Sequence, residues 1–175
     1  MNIVTSGSLN QRVNLQLLSD SLDTFDYDPE SYHGGYLRLS KYSVTIYSSG
    51  KYIVPGVKSF NDLQMISDEI RYVLSGVMDA SIIGDPEVKN IVAMTSVPSK
   101  LDLVHLFTYL VNVLGESDVS YEPESFPGLI WKSKHGTANI YRSGKIVLLG
   151  TSSIQSLVDL EKFVLSNLQT SDAYL

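Results

Sequence analysis

Residues 27–56 read YDPESYHGGYLRLSKYSVTIYSSGKYIVPG, and residues 121–150 read YEPESFPGLIWKSKHGTANIYRSGKIVLLG. Laid over one another at a constant offset of 94, without a gap, they share 11 of 30 positions. The shared residues are Pro, Gly, a Ser-Gly-Lys triplet and aromatics, which shape turns and surfaces more than cores. A period this long that occurs only twice is not a solenoid. It marks two copies of one supersecondary unit, packed as a pseudo-dimer around a shared binding face.

Within the repeat, Tyr42–Tyr47 alternates. Val44 and Ile46 point to one side of a strand, and Ser43, Thr45 and Tyr47 to the other. The second copy places Ala138 and Ile140 opposite Thr137, Asn139 and Tyr141 in the same way. Ser-Gly-Lys at 49–51 and 143–145 is a tight turn into the next strand. Pro55 removes a ladder donor, so a bulge or strand end is expected there.

Downstream, Ser59-Phe60-Asn61-Asp62 has the form of a helix N-cap with an acid at the third position. Leu63, Ile66, Ile70 and Leu74 then recur at helical spacing. The offset of 94 carries them onto Leu157, Leu160, Val164 and Leu168. Upstream the match resumes at an offset of 88, with Asn2-Ile3-Val4 over Asn90-Ile91-Val92. The second copy thus has six extra residues before Tyr121, expected to lengthen a helix running from Asp102 to Gly115. Gly84-Asp85-Pro86-Glu87 reads as the linker. The implied order in each unit is strand, helix, short strand, three-strand meander, helix. This is an α+β fold in which helices cover one face of an antiparallel sheet and leave the other open.

At 175 residues, with 43% hydrophobic and 18% charged residues, the chain can bury a core as one domain or two joined halves. No apolar run reaches membrane-spanning length. There is no cysteine, which excludes thiolate metal sites and nucleophiles and fits an intracellular setting. The net charge is −6: residues 1–87 carry six basic and eleven acidic residues, and residues 88–175 carry seven and eight. Nucleic-acid binding therefore requires a local face that escapes the acidic average.

The duplicated E/DPExF/YxG segments, the aromatic-x-SGK turns, the Asn-Ile-Val openings and the closing helices together resemble the TATA-box-binding protein family of archaea and eukaryotes. The likeness covers nearly the whole chain, and the acidic balance is similar to archaeal members. It implies two pseudo-symmetric repeats, 1–84 and 88–175. Together they would form one curved, saddle-shaped antiparallel sheet with helices on its convex face. It also implies a transcription initiation factor that binds and bends AT-rich promoter DNA through the minor groove, where apolar side chains fit and intercalating rings kink the duplex.

Carried over position by position, the resemblance puts the DNA wedges at Tyr32 and Tyr47 and at Phe126 and Tyr141. The family has Phe at all four. A tyrosine hydroxyl left unpaired between bases costs about 1–3 kcal/mol, so a weaker first-copy wedge is expected. The groove floor falls on Asn2, Val4, Thr45, Ile53, Asn90, Val92, Asn139 and Val147, and the phosphate contacts on Arg38, Lys51, Lys132 and Lys145. Departures bear on the preferred DNA sequence. Thr45 and Asn139 stand where the family is apolar, and Pro55 and Leu149 where it has threonine. The hairpins after Arg38 and Lys132 are each two residues short.

The loop from Tyr121 to Gly128 matches the family's contact for transcription factor B, with Glu122 and Glu124 facing that partner and the RNA polymerase machinery reached indirectly. His33, His105 and His135 are scattered without metal-ligand spacing. No phosphate loop or nucleophile motif occurs, so neither an enzyme, a metal nor a cofactor is implied. Two other readings stand. The chain could be a divergent saddle-fold protein-interaction module or regulator with weak or lost TATA-box binding, or an accessory domain of DNA repair. An open apolar sheet face also admits a homodimer in the absence of DNA.

Overall fold

The computed structural model describes residues 1–115 and 117–175 and divides into two compact units, Asn2–Lys89 and Asn90–Leu175. The first contains β1 (Asn2–Ser8), α1 (Leu15–Ser21), β2 (Phe25–Asp26), β3 (Gly34–Arg38), β4 (Ser43–Tyr47), β5 (Lys51–Val57) and α2 (Asp62–Leu74). The second repeats the order with β6 (Glu87–Ser96), α3 (Leu103–Asn112), β7 (Val119–Ser120), β8 (Gly128–Ser133), β9 (Gly136–Tyr141), β10 (Lys145–Thr151) and α4 (Ile154–Ser171). In space the strands run β2-β3-β4-β5-β1 in one repeat and β6-β10-β9-β8-β7 in the other. All of the pairings within each repeat are antiparallel. The α+β class and the expected order of elements are both present.

Strand parity decides which side chains meet the helices. Val44 and Ile46 are buried with Leu37, Tyr52 and Val54 beneath Ile66, Ile70 and Leu74 of α2. In the second unit Trp131, Ala138, Ile140, Ile146 and Leu148 form a core with Leu160, Val164 and Leu168 of α4. The alternate residues of every strand are left on the face away from the helices.

Two local expectations are corrected and a third is met. Ser59 does not cap α2, which starts at Asp62 with no side-chain cap. The Asp62 carboxylate instead accepts from the Tyr42 hydroxyl (2.7 Å) and Lys41 Nζ (3.2 Å), contacts that hold it below its usual pKa. The matching position in the second copy is Ser156, and there Ser153 and Ser156 do form a capping box. Helix α3 is capped by Asp102, as expected, but ends at Asn112, three residues longer than α1. The bulge expected at Pro55 occurs, with the register shifting between Ile3↔Val57 and Thr5↔Val54. The second copy has the same bulge without a proline, between Leu148↔Ala93 and Thr151↔Ile91. Gly56 and Gly150, at φ +74° and +85°, supply the left-handed residue in both.

Candidate nucleic-acid interface

Cross-strand pairing lines up one row of side chains across the open face of each unit. In the first the row is Asp26, Tyr36, Thr45, Ile53 and Ser6. In the second it is Ser120, Ile130, Asn139, Val147 and Met94. The two rows occupy equivalent positions, yet the first is mostly polar with one aromatic ring and the second sets Asn139 between the apolar Ile130 and Val147, with Met94 beyond. Met94 is 65% exposed, a large penalty-free apolar surface only if something covers it. Thr45, Ile53, Asn139 and Val147 were expected on this face. Tyr36, Ile130, Ser6 and Met94 were not singled out, although each lies two residues from one that was and so shares its face.

An aromatic pair stands beside each row, next to its Tyr36–Thr45 or Ile130–Asn139 members. In the second unit Phe126 and Tyr141 lie 5.8 Å apart, tilted by 58°. In the first, Tyr32 and Tyr47 lie 6.3 Å apart. Tyr36 stacks on Tyr32 at 5.8 Å and His33 on Tyr47 at 5.4 Å. Each pair stands over a glycine. A Cβ on Gly34 would come within 3.0 Å of the Tyr32 ring and 3.1 Å of the Tyr47 ring, and one on Gly128 within 2.9 Å of Phe126 and 3.1 Å of Tyr141. The glycines of the repeated motif therefore make room for the rings.

The tyrosine hydroxyls are not unpaired. Tyr32 and Tyr47 hydrogen-bond to each other at 2.9 Å. That bond first, and burial second, push the Tyr47 hydroxyl up to about 12. The desolvation penalty expected of the first-copy wedge is thus met inside the pair. Tyr52, buried on the helix side, donates to the Gly84 carbonyl at 2.7 Å, and burial, then the Asp85 charge, push it up to about 12. Both phenols keep protons that the unfolded chain releases near 10.0. Stability is therefore fully present below about pH 10 and falls as pH rises towards 12. A melting series is expected to show Tm dropping over that interval, and Tyr52→Phe to flatten the drop; an unchanged slope in the variant would contradict the assignment.

The four basic residues differ. Lys51, Lys132 and Lys145 are exposed and make no ion pair among the described residues. Arg38 pairs with Asp26 on the neighbouring strand. A phosphate would have to displace that carboxylate. On β1, Asn2 Oδ1 accepts from Lys58 Nζ, and on β6, Asn90 Oδ1 accepts from the Gly150 N–H in the bulge at 3.0 Å. The NH2 group of each makes no hydrogen bond among the described residues. Val4 and Val92 are half-buried beside them.

Glu122 and Glu124 are exposed on a helical turn closed by the N–H groups of Ser125 and Phe126 on the Glu122 carbonyl, both at 2.9 Å. The same turn in the first copy is locked further by Asp28, which accepts from the Ser31 hydroxyl (2.6 Å) and Glu30 N–H (3.0 Å) and is held below its usual pKa by them. Among the described residues no group of three His, Asp or Glu converges on a metal-sized site. Among the described residues no helix is long and apolar enough to cross a membrane.

Comparison with known proteins agrees over most of the chain. The family described as "Transcription factor TFIID (or TATA-binding protein, TBP)" matches residues 1–77 and 85–171. TATA-box-binding protein C of Halobacterium salinarum is 31% identical over 96% of this chain and 95% of its own length. The TATA-box-binding protein of Thermoplasma volcanium is 35% identical over 85% of this chain and 82% of its own. The solved structure of Methanococcus jannaschii TBP is similar at a TM-score of 0.76 and 26% identity, covering 97% of each chain. Matched in both repeats, in sequence and in fold, the chain belongs to the TATA-binding protein family of transcription factors.

Proposed function

We propose that the repeats 1–84 and 88–175 form one saddle whose open sheet faces bind the minor groove of AT-rich duplex DNA and bend it. The supporting observation is the row Ile130, Val147 and Met94 beside the Phe126–Tyr141 pair, with Lys132 and Lys145 unpaired at its edges. Apolar side chains suit a groove poor in donors, rings wedge into base steps, and lysines neutralise phosphates. In this reading Tyr32 and Tyr47 form the second wedge. Asn2 and Asn90 donate to base acceptors, and Lys51 and Arg38 hold backbone. The exposed Glu122 and Glu124 suit a basic surface on a protein resembling transcription factor B, through which polymerase is reached. The place of work is then inside the cell, on DNA. Without DNA, the exposed Met94 row invites self-association.

A protein-interaction role is the second reading, favoured by the polar first row and the Arg38–Asp26 pair. Gel shifts of AT-rich and GC-rich duplexes at low salt separate the two. Preferential retention of the AT-rich duplex, with affinity falling steeply with salt, is expected. Lys145→Gln should lower the slope of log affinity against log salt by about 1. Arg38→Gln should lower it less, because Asp26 already neutralises that charge. No binding of either duplex at about 50 mM salt would leave the protein-interaction reading.

A further inference from the structure

The three asparagines of the proposed groove floor differ in one chemical respect. Asn2 and Asn90 have their carbonyl oxygens occupied, by Lys58 Nζ and by the Gly150 N–H. The donors in both bonds leave no doubt which amide atom is the oxygen. The NH2 groups of these two side chains make no hydrogen bond among the described residues, and they match the acceptors that A·T pairs present in the minor groove. Asn139 is half-buried, with no side-chain hydrogen bond among the described residues. It sits in mid-strand between Ile130 and Val147, two residues before Tyr141 on the same face. Its carbonyl is a free acceptor set among apolar neighbours.

The only donor in the minor groove is the N2 amino group of guanine. Against an apolar floor that group would be stripped of water without a partner, which is unfavourable. We infer that Asn139 is a specificity-determining residue, its Oδ1 accepting from guanine N2 so that a G·C pair is admitted within the half of the site read by the second repeat. The inference rests on the minor-groove reading above and adds to it a sequence preference.

Inosine tests it, because an I·C pair is a G·C pair without the N2 amino group. Affinities are measured for an AT-rich duplex and for duplexes in which each A·T pair in turn becomes G·C or I·C. With the native chain, at one or two neighbouring positions, G·C is expected to bind at least as well as I·C. At every other position I·C should bind better. In Asn139→Val the order at those positions should invert, G·C falling about five- to tenfold below I·C. The native comparison decides by itself if the variant does not fold. Tighter binding of I·C than G·C at every position, with the A·T duplex still bound, overturns this inference alone. Failure to bind any duplex overturns the minor-groove reading and the inference with it. The native order persisting unchanged in Asn139→Val would also overturn it, since another group would then be accepting from guanine.

Discussion

Phe126→Ala is expected to weaken binding of an AT-rich duplex by about 30-fold and to reduce its bend, because base–aromatic stacking is worth about 1–3 kcal/mol per ring. Phe126 is half-buried in the free protein and lies 5.8 Å from Tyr141 over Gly128. Its loss removes a wedge without opening the core. The first copy behaves differently because its rings are joined through their hydroxyls at 2.9 Å. Removing one hydroxyl is therefore worse than removing both. Tyr32→Phe leaves the Tyr47 hydroxyl unpaired between bases and should cost about tenfold. The double variant Tyr32→Phe/Tyr47→Phe should return to within about threefold of the native affinity. Fluorescence anisotropy with a bend assay reads both effects. If Phe126→Ala and Tyr32→Ala each left affinity and bend unchanged, the wedge assignment would fail. If the double phenylalanine variant were weaker than either single one, the hydroxyl pair would not be what keeps the first wedge dry.

What could be read from the chain alone was whatever repeats locally. The offset of 94 pairs Thr45 with Asn139 and Tyr47 with Tyr141, and alternation puts them on the open face, where they are found. What could not be read depends on contacts between distant residues. Asp26 reaches Arg38 only because a two-residue strand pairs with β3. The carbonyls of Asn2 and Asn90 are taken up by groups 56 and 60 residues away, so three chemically identical side chains end with different hydrogen-bonding capacity. The capping box expected of Ser59 and Asp62 fails for the same reason, since Tyr42 and Lys41 take up the Asp62 carboxylate. Pro55 looked like the cause of a bulge that Leu149-Gly150 makes without it.

In the proposed minor-groove reading, this asymmetry would give the two repeats different tasks. A shared scaffold carries an apolar, lysine-edged face in one copy and a tyrosine-rich face with a neutralised arginine in the other. A duplex bound across both would meet unlike halves, so a symmetric sequence would not be the best site. Orientation on DNA is then a consequence of Tyr36 against Ile130, Ser6 against Met94 and Thr45 against Asn139.

The Ser-Gly-Lys turn predicts the largest change in stability. Gly50→Ala is expected to cost about 3 kcal/mol or more, lowering Tm by roughly 6–12 °C for a chain of this size. Two terms add. Gly50 has φ +86°, where an L side chain costs about 1–2 kcal/mol. In addition, a Cβ there would lie 1.9 Å from the backbone carbonyl oxygen of Gln11, so the turn or the segment after β1 must move. Neither is free to do so. The Gly50 N–H donates to the Tyr47 carbonyl and its own carbonyl accepts from Leu9 N–H, both at 2.8 Å. Gly144 repeats the arrangement at φ +86°, with Val97 and Ser99 carbonyls 2.6 Å from the added carbon. Gly56 is the control. It has φ +74° but nothing within 4 Å of a Cβ, so Gly56→Ala should cost only the conformational share of about 1 kcal/mol. Denaturant or thermal unfolding of the three variants separates the terms. If Gly50→Ala and Gly56→Ala destabilised equally, the close approach to Gln11 would carry no weight, and the glycine of the triplet would serve φ alone.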